Sequence, residues 1–356
     1  MSAKLTIHKD KFIENVHHVK KDYPVMAVVK NNAYNTGLSF AINAFLKADI
    51  THFATTSLEE AIEIRKLSTN AVIFLMNPST EFDLLRAFQI QMTLPSYAFY
   101  EKYQHELHDI KVHLEYENLL SRSGFKNKDE FHQFITKYEQ DYKTNKMKVV
   151  GAWTHFGYAD EFGVPEYEIE RHEWLEILAF LKTHFTFEMI HAQNSASFVR
   201  EEGLLEGHTH LRLGIILYGA RPYEGLPESL TQQTIEVTSH VLQIRTLNPN
   251  QSAGYSFAYT SSTHERLAVV AIGYGDGVLR TRAQYDCMIN GKRYPIKALM
   301  MSHMFVLVDD AVKANDIVTL YSNEIRIDEF TFKGVGANSE QLSALNQYSL
   351  IREVIE

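Results

Sequence analysis

The 356-residue chain predicts an α/β protein: an eight-stranded parallel β/α (TIM-like) barrel followed by a mostly β second domain. Three observations lead there. Up to about residue 220, short apolar runs alternate with longer stretches of helical periodicity, the pattern of βα units. Beyond about residue 226 that spacing gives way to strand-like runs joined by tight turns. Polar, chemistry-bearing residues gather just after the early apolar runs, at the strand ends where such barrels carry their sites.

The barrel strands are expected, in order, at Val25–Lys30, His52–Thr56, Ala71–Leu75, Gln91–Leu94, Val112–Tyr116, Val149–Trp153, Glu188–Ala192 and Leu211–Leu217. Helical signals separate most of them. "SLEEAIEIRKL" opens with Ser57 and, three residues on, Glu60, a capping-box pattern. "EYEIERHEWLEILAFLKTHF" repeats apolar residues at helical spacing. Later, "QTIEVTSHVLQIRTL", "RLAVVAIGYG", "DCMINGKRYPIKAL", "MFVLVDD" and "DIVTLYSNEIRID" read as strands, and Asn290-Gly291 is a hairpin signal. The expected domains are 1–226, whose first eight or so residues are free to join the β domain, and 227–356.

Composition narrows the function. Lys and Arg total 35 against 44 Asp and Glu, a net charge of −9, so no strongly basic face for nucleic acid is implied. A lone cysteine, Cys287, rules out an intramolecular disulfide and fits a reducing compartment. The polar opening "MSAKLTIHKDKF" lacks a signal-peptide core, and no apolar run approaches a membrane span. A cytoplasmic protein is expected. The 17 histidines show no H-E-x-x-H or other convincing ligand spacing, so no metal is expected.

"AVVKNNAYNTG" ends an apolar strand on Lys30. A strand-end lysine is usually solvated; one aimed into a barrel mouth is desolvated and becomes a base or nucleophile. The other strand ends converge on it: Glu115 leading to Arg122, His155, His191 with Asn194 and Ser195, and Arg212 before Gly214-Ile215. Ser195, Tyr34 and the Gly214-Ile215 backbone can donate to a phosphate. A lysine, phosphate donors and an arginine together point to pyridoxal phosphate.

"AVVKNNAYNTG", "THFGYADE", "HAQNSAS", "LRLGIILYG", "GYSFAYT" and "AIGYGDGVLR" resemble, in order and over nearly the whole chain, segments of alanine racemases, in particular a divergent second form found in low-GC Gram-positive bacteria. The resemblance implies a pyridoxal-phosphate racemase that supplies D-alanine for peptidoglycan and works as a homodimer with shared sites. It implies that Lys30 carries the cofactor and is one base. Tyr255, from the partner subunit, is the other. Tyr34, Ser195, Gly214 and Ile215 would hold the phosphate, and Arg212 would face the pyridine nitrogen. His155 and His191 would orient Arg212 and Tyr255. Arg122 would contact the substrate carboxylate, and Tyr274 would narrow the entrance. Racemisation needs a base on each face of a planar carbanion, and Lys30 with Tyr255 supplies the pair.

The chain departs from the family in four places. Asn35-Thr36-Gly37 replaces the usual Gly-His-Gly. Glu115 replaces a lysine that many members carry as a carbamate, and is expected to pair with Arg122 unmodified. Ser302-His303 replaces Met-Asp in the substrate loop. No tyrosine that would touch the phosphate follows "LNQYSLI", which leaves cofactor affinity open. Rival readings are a racemase for serine, lysine or several amino acids, a non-catalytic pyridoxal-phosphate carrier, and a decarboxylase using Cys287.

Overall fold

The computed structural model describes residues 3–141 and 146–356. The chain forms two compact units, 20–214 and 1–19 with 215–356. The first strand, β1 (Lys4–His8), belongs to the second of these, as does most of the helix Lys9–Lys20. Eight parallel strands then build the barrel: β2 (Val25–Val28), β3 (His52–Thr55), β4 (Val72–Leu75), β5 (Gln91–Leu94), β6 (Lys111–Glu115), β7 (Lys148–Trp153), β8 (Met189–His191) and β9 (Leu211–Leu213). Their order is β8-β7-β6-β5-β4-β3-β2-β9. β8 and β9 meet where the Arg212 N–H donates to Gln193 O at 2.9 Å, so the barrel nearly closes. Helices follow most strands, and half of the predicted capping box forms: Ser57 Oγ accepts from the Glu60 N–H at 3.3 Å, while the Glu60 carboxylate accepts from the Asn32 N–H and Thr55 instead. The strands are buried on both faces, as a parallel barrel requires.

The remaining strands are β10 (Ile235–Leu247), β11 (Ser252–Ala253), β12 (Tyr259–Thr260), β13 (Glu265–Val270), β14 (Asp286–Ile289), β15 (Lys292–Leu299), β16 (Met304–Val308), β17 (Ile317–Tyr321) and β18 (Ile351–Ile355). β10, β13, β16, β15, β14 and β17 close an antiparallel ring, with β1 and β18 added outside β10. Asn290 and Gly291, at φ 52° and 75°, turn β14 into β15 as their sequence predicts.

The periodicity change near 226 is not the edge of a compact unit, which falls after Gly214. The expected strand Leu211–Leu217 ends at Leu213, and Ile215–Tyr218 coil into a 3₁₀ turn. The turn is held from its own unit. Asn15 Nδ2 donates to the carbonyls of Ile216 and Leu217, each at 3.0 Å, and Thr234 Oγ1 donates to Tyr218 O. An apolar run carries no mark of such partners.

Candidate active site

The backbone after β2 sets the site. Asn31, Asn32, Ala33, Tyr34 and Asn35 all have φ between 50° and 67°, one turn of left-handed helix made of L-residues. Such a conformation costs about 1–2 kcal/mol per residue, less for asparagine. The turn is held from both sides. Glu60 accepts from the Asn32 N–H at 2.7 Å and from Thr55, Asn32 Oδ1 accepts from the Leu38 N–H, and Thr36 Oγ1 donates to Ala33 O at 2.6 Å. Lys30 stands at its entrance, half-buried. Burial first, then the charges of Arg122 and Arg212, lower its pKa below the ordinary lysine value.

Arg212, on β9, is 2% exposed. Its Nη1 donates to His191 Nδ1 at 2.7 Å and to His191 O at 3.1 Å. Its Nη2 donates to Thr154 O at 2.8 Å and to His155 Nδ1 at 3.2 Å. The guanidinium lies over the Trp153 ring at 4.7 Å. Both terminal nitrogens are thus committed, and Nε–H is the donor left for a ligand. Because both histidines accept from a cation, both are neutral, and burial followed by Arg212 pushes their pKa values well below the usual imidazole range. Burial also lowers Arg212 itself, to about 9, with Arg122 adding to the effect.

A second cluster forms between the turn and β9. The Gly214 N–H donates to Ser195 Oγ at 3.2 Å. A Cβ on Gly214 would stand 2.4 Å from the Tyr34 hydroxyl oxygen, so only glycine lets these groups share one small volume. Asn194 caps the helix Ser195–Arg200 by accepting from the N–H groups of Ala196 and Ser197, and its amide donates to Phe156 O at 2.7 Å. That cap ties the Ser195 turn to the loop carrying His155.

Lys30, Tyr34, Glu115, His155, His191, Ser195, Arg212 and Gly214 therefore lie in one unit, with Arg122 on an exposed turn after β6. The expected ion pair of Glu115 with Arg122 does not form among the described residues. Glu115 is 3% exposed and accepts from Thr93 Oγ1 at 3.0 Å and from Ser123. Burial raises its pKa, opposed by the bonds from Ser123 and Thr93 and then by the field of Arg122. The short glutamate stays against its strand, while the arginine reaches solvent.

Ile215, Tyr255, Tyr274 and Ser302 belong to the other unit. There, the backbone joins two of them: Tyr274 N–H donates to Met300 O at 2.9 Å and Gly275 N–H to Met301 O at 2.8 Å, knitting the Tyr274 turn to the Ser302 loop. Tyr255 is 78% exposed. Cys287 is fully buried, and burial pushes its thiol up to about 12, so it is no nucleophile and the decarboxylase reading falls.

Several contributors are absent from the sequence reading. His113 and Gln91 extend the Arg212–His191 contact inward. Glu170, buried on the helix Glu166–Leu181, accepts from the N–H groups of Gly157 and Tyr158 and fixes the His155 loop. Burial lifts its pKa to about 7. The available signal was alternation: Gln91 and Thr93, then His113 and Glu115, are polar residues two apart with apolar ones between, hence on one buried face.

Residues 7–222 match the family described as "Alanine racemase, N-terminal domain" and residues 234–349 that described as "Alanine racemase, C-terminal domain". Alanine racemase 2 of Staphylococcus aureus (strain Mu50 / ATCC 700699) is 54% identical over 358 residues, spanning 100% of this chain and 99% of its own. Among solved structures, the alanine racemase from E. faecalis has a TM-score of 0.88 at 24% identity, covering 99% of this chain and 98% of its own. That from Bacillus anthracis with bound L-Ala-P has a TM-score of 0.86 at 25% identity, covering 100% and 95%.

Proposed function

The chain belongs to the alanine racemase family, and from that premise we propose that it interconverts L-alanine and D-alanine using pyridoxal 5′-phosphate. The observation that carries this reading is the half-buried Lys30, its ammonium form disfavoured, in the field of an Arg212 whose terminal nitrogens are already committed. The residues fit the cofactor. Tyr34, Ser195 and the Gly214 and Ile215 N–H groups would hold its phosphate, the lack of a side chain on Gly214 letting the Tyr34 hydroxyl come close to that backbone. Lys30 would carry it covalently, and the Arg212 Nε–H would meet its ring nitrogen.

When bound, the cofactor withdraws electrons from the substrate and acidifies its Cα–H bond. This chain's residues do the rest. Lys30, held below the usual lysine pKa, takes or returns a proton at its Nζ on one face. The partner's Tyr255 does so at its hydroxyl on the other, and the exposure of Tyr255 supports a role in a second subunit's site. Arg212 keeps its proton because a guanidinium is a very strong base, and even the burial that lowers its pKa to about 9 leaves it charged near neutrality. Arg212 would thus offer the ring nitrogen a hydrogen bond without giving it a proton, which would favour return of the proton to Cα over transamination. His155 accepts at Nδ1, so its proton is on Nε2, which lies 3.4 Å from Asn194 Nδ2. Arg122 binds the substrate carboxylate, and Tyr274 with Ser302 shapes the entrance.

A cytoplasmic homodimer supplying D-alanine for peptidoglycan completes the reading; among the described residues no helix is long and apolar enough to cross a membrane. Because Ser302 and His303 are exposed polar residues on the substrate loop, serine and lysine belong in the substrate panel. Purified protein with pyridoxal phosphate is expected to racemise alanine fastest, read by chiral chromatography, and borohydride should fix the cofactor to the Lys30 peptide. Label elsewhere refutes the site, and no racemisation of any amino acid favours a carrier. Mixing inactive Lys30→Ala and Tyr255→Phe chains is expected to restore some activity, since a mixed dimer holds one complete site. No recovery after demonstrated subunit exchange would mean that each chain is self-sufficient.

A further inference from the structure

Behind Arg212 runs a line of polar groups that reaches away from the site and ends inside the barrel. Arg212 Nη1 meets His191 Nδ1 at 2.7 Å, His191 Nε2 meets His113 Nδ1 at 2.8 Å, and His113 Nε2 meets Gln91 Oε1 at 2.8 Å. The members come from β9, β8, β6 and β5. His191 and His113 are fully buried, and Gln91 is 7% exposed.

We propose that His113, anchored by Gln91, is a positioning residue for the reaction: it fixes the proton of His191 on Nε2 and so holds Arg212 in one orientation. The inference rests on the racemase reading for its kinetic consequence, but not for the proton arrangement itself.

The sense of the line follows from its two ends. A guanidinium only donates, so His191 Nδ1 must accept and the proton of His191 sits on Nε2. That proton points at His113 Nδ1, which must accept in turn, and the proton of His113 is on Nε2. Gln91 receives it through its carbonyl oxygen. Turning the Gln91 amide over would place an NH₂ against His113 Nε2, forcing the His113 proton onto Nδ1. His191 would then face a donor on each side and could carry no proton at all. Only one arrangement satisfies every atom, and each imidazole is neutral in it. Burial, then Arg212, agrees by holding His113 down to about 3.

The surroundings are built for these rings. A Cβ on Gly151 of β7 would stand 2.4 Å from His113 Nδ1, so β7 carries a glycine where the imidazole passes. Phe74 stacks on His113 at 4.3 Å and meets His191 edge-on at 5.1 Å, and Trp153 lies parallel to His191 at 6.0 Å. Burying such polar groups yields little stability over a well-packed apolar core, and leaving one unpaired is costly. What the line does supply is direction. With His113 present, the other His191 tautomer would set an N–H against the guanidinium on one side and a lone pair against a lone pair on the other. Without His113 that tautomer loses one of its two penalties, and Arg212 can swing toward other partners.

The test combines NMR with kinetics on the full chain. Long-range ¹⁵N–¹H spectra of histidine-labelled protein, with and without pyridoxal phosphate, should show both His113 and His191 as neutral Nε2–H tautomers. An Nδ1–H signal from either overturns the proposal, whatever the enzyme proves to catalyse. His113→Phe fills the space without hydrogen bonding. It is expected to leave His191 as a tautomer mixture and to lower kcat about 10- to 100-fold, the scale on which outer partners of an active group act, with KM for alanine nearly unchanged. His113→Gln can still accept from His191 and donate to Gln91, and should recover the Nε2–H signal and most of the turnover. Equal impairment of the two variants at equal thermal stability, or wild-type turnover in His113→Phe, refutes the positioning role. Should His113→Phe fail to fold, the wild-type spectra and His113→Gln still decide. Should no amino acid be racemised, the spectra alone test the proton arrangement, and failure there is distinct from failure of the racemase reading.

Discussion

Two buried charges, one in each unit, are handled in opposite ways. The barrel buries a cation, Arg212, among neutral imidazoles and carbonyls and gives it no ion pair among the described residues. The β-rich unit buries a carboxylate, Asp328, and clamps it with two arginines. Arg221 donates to it from Nε, Nη2 and its backbone N–H at 2.9–3.0 Å, and Arg326 from Nη2 at 2.9 Å. Burial pushes the Asp328 pKa up, yet the bonds from Arg221 and Arg326 hold it below the ordinary value. One arrangement leaves a charge unspent for a ligand; the other cancels charge locally and ties together residues 219–231, Arg326 and the helix Asn338–Ala344. Chemistry and rigidity thus place contrary demands on buried charge.

That contrast can be broken from either side. Lys30→Ala should show the largest effect: loss of about 10⁴-fold or more in racemisation, over 5 kcal/mol of barrier, with urea stability unchanged or raised, because a half-buried cation is removed. A stability loss instead would mean that the lysine belongs to the scaffold. Asp328→Asn should do the reverse, costing about 3–5 kcal/mol by leaving two buried guanidinium groups without a counter-charge. Intact stability in that variant would reduce the clamp to decoration.

Acid separates the units next. His113, His155, His191, His208 and His210, all in the barrel, have pKa values lowered chiefly by burial, to about 3 for His113 and about 4 for His208 and His210. Unfolded histidine titrates near 6.5. Below that value the unfolded chain binds more protons than the folded barrel, so stability falls with falling pH, by roughly 1.4 kcal/mol per pH unit for each such proton. Glu170, raised by burial to about 7, and Glu115, also raised by burial, act in the opposite sense and offset part of this. The Asp328 contribution is present above the unfolded aspartate pKa and is lost only as pH falls toward the lower folded value. Between about pH 6 and 4.5 the barrel should therefore weaken while the β-rich unit holds, which hydrogen exchange resolved by segment can follow. Equal weakening of both would contradict the contrast. The smallest effects concern backbone handedness. Asn31→Gly should stabilise the barrel by about 0.5 kcal/mol, and Gly291→Ala should cost the β-rich hairpin about 1 kcal/mol. Chemical denaturation reads both.

Sequence spacing made the barrel, the β-rich unit and the lysine at a strand end legible, because two-residue and helical periods mark buried faces directly. Contacts between strands far apart in sequence were another matter. Gln91 and His113 lie 22 residues apart, and His113 and His191 lie 78 apart; nothing local announces that they touch. "LRLGIILYG" reads as one strand because its apolar run hides the carbonyls that Asn15 claims. Glu115 and Arg122 looked paired by charge, but Thr93 and Ser123 were nearer to the carboxylate than the arginine was.

The left-handed turn at Asn31–Asn35 carries a stereochemical consequence. Its backbone torsions are the mirror image of an ordinary α-helical turn, and so the torsions that D-amino acids prefer. If the racemase reading holds, the segment that positions the base for making a D-amino acid is one that D-residues would build more comfortably than the L-residues it contains. A semisynthetic chain with D-alanine at position 33 should keep its fold, whereas the same replacement inside the helix Glu166–Leu181 should break it.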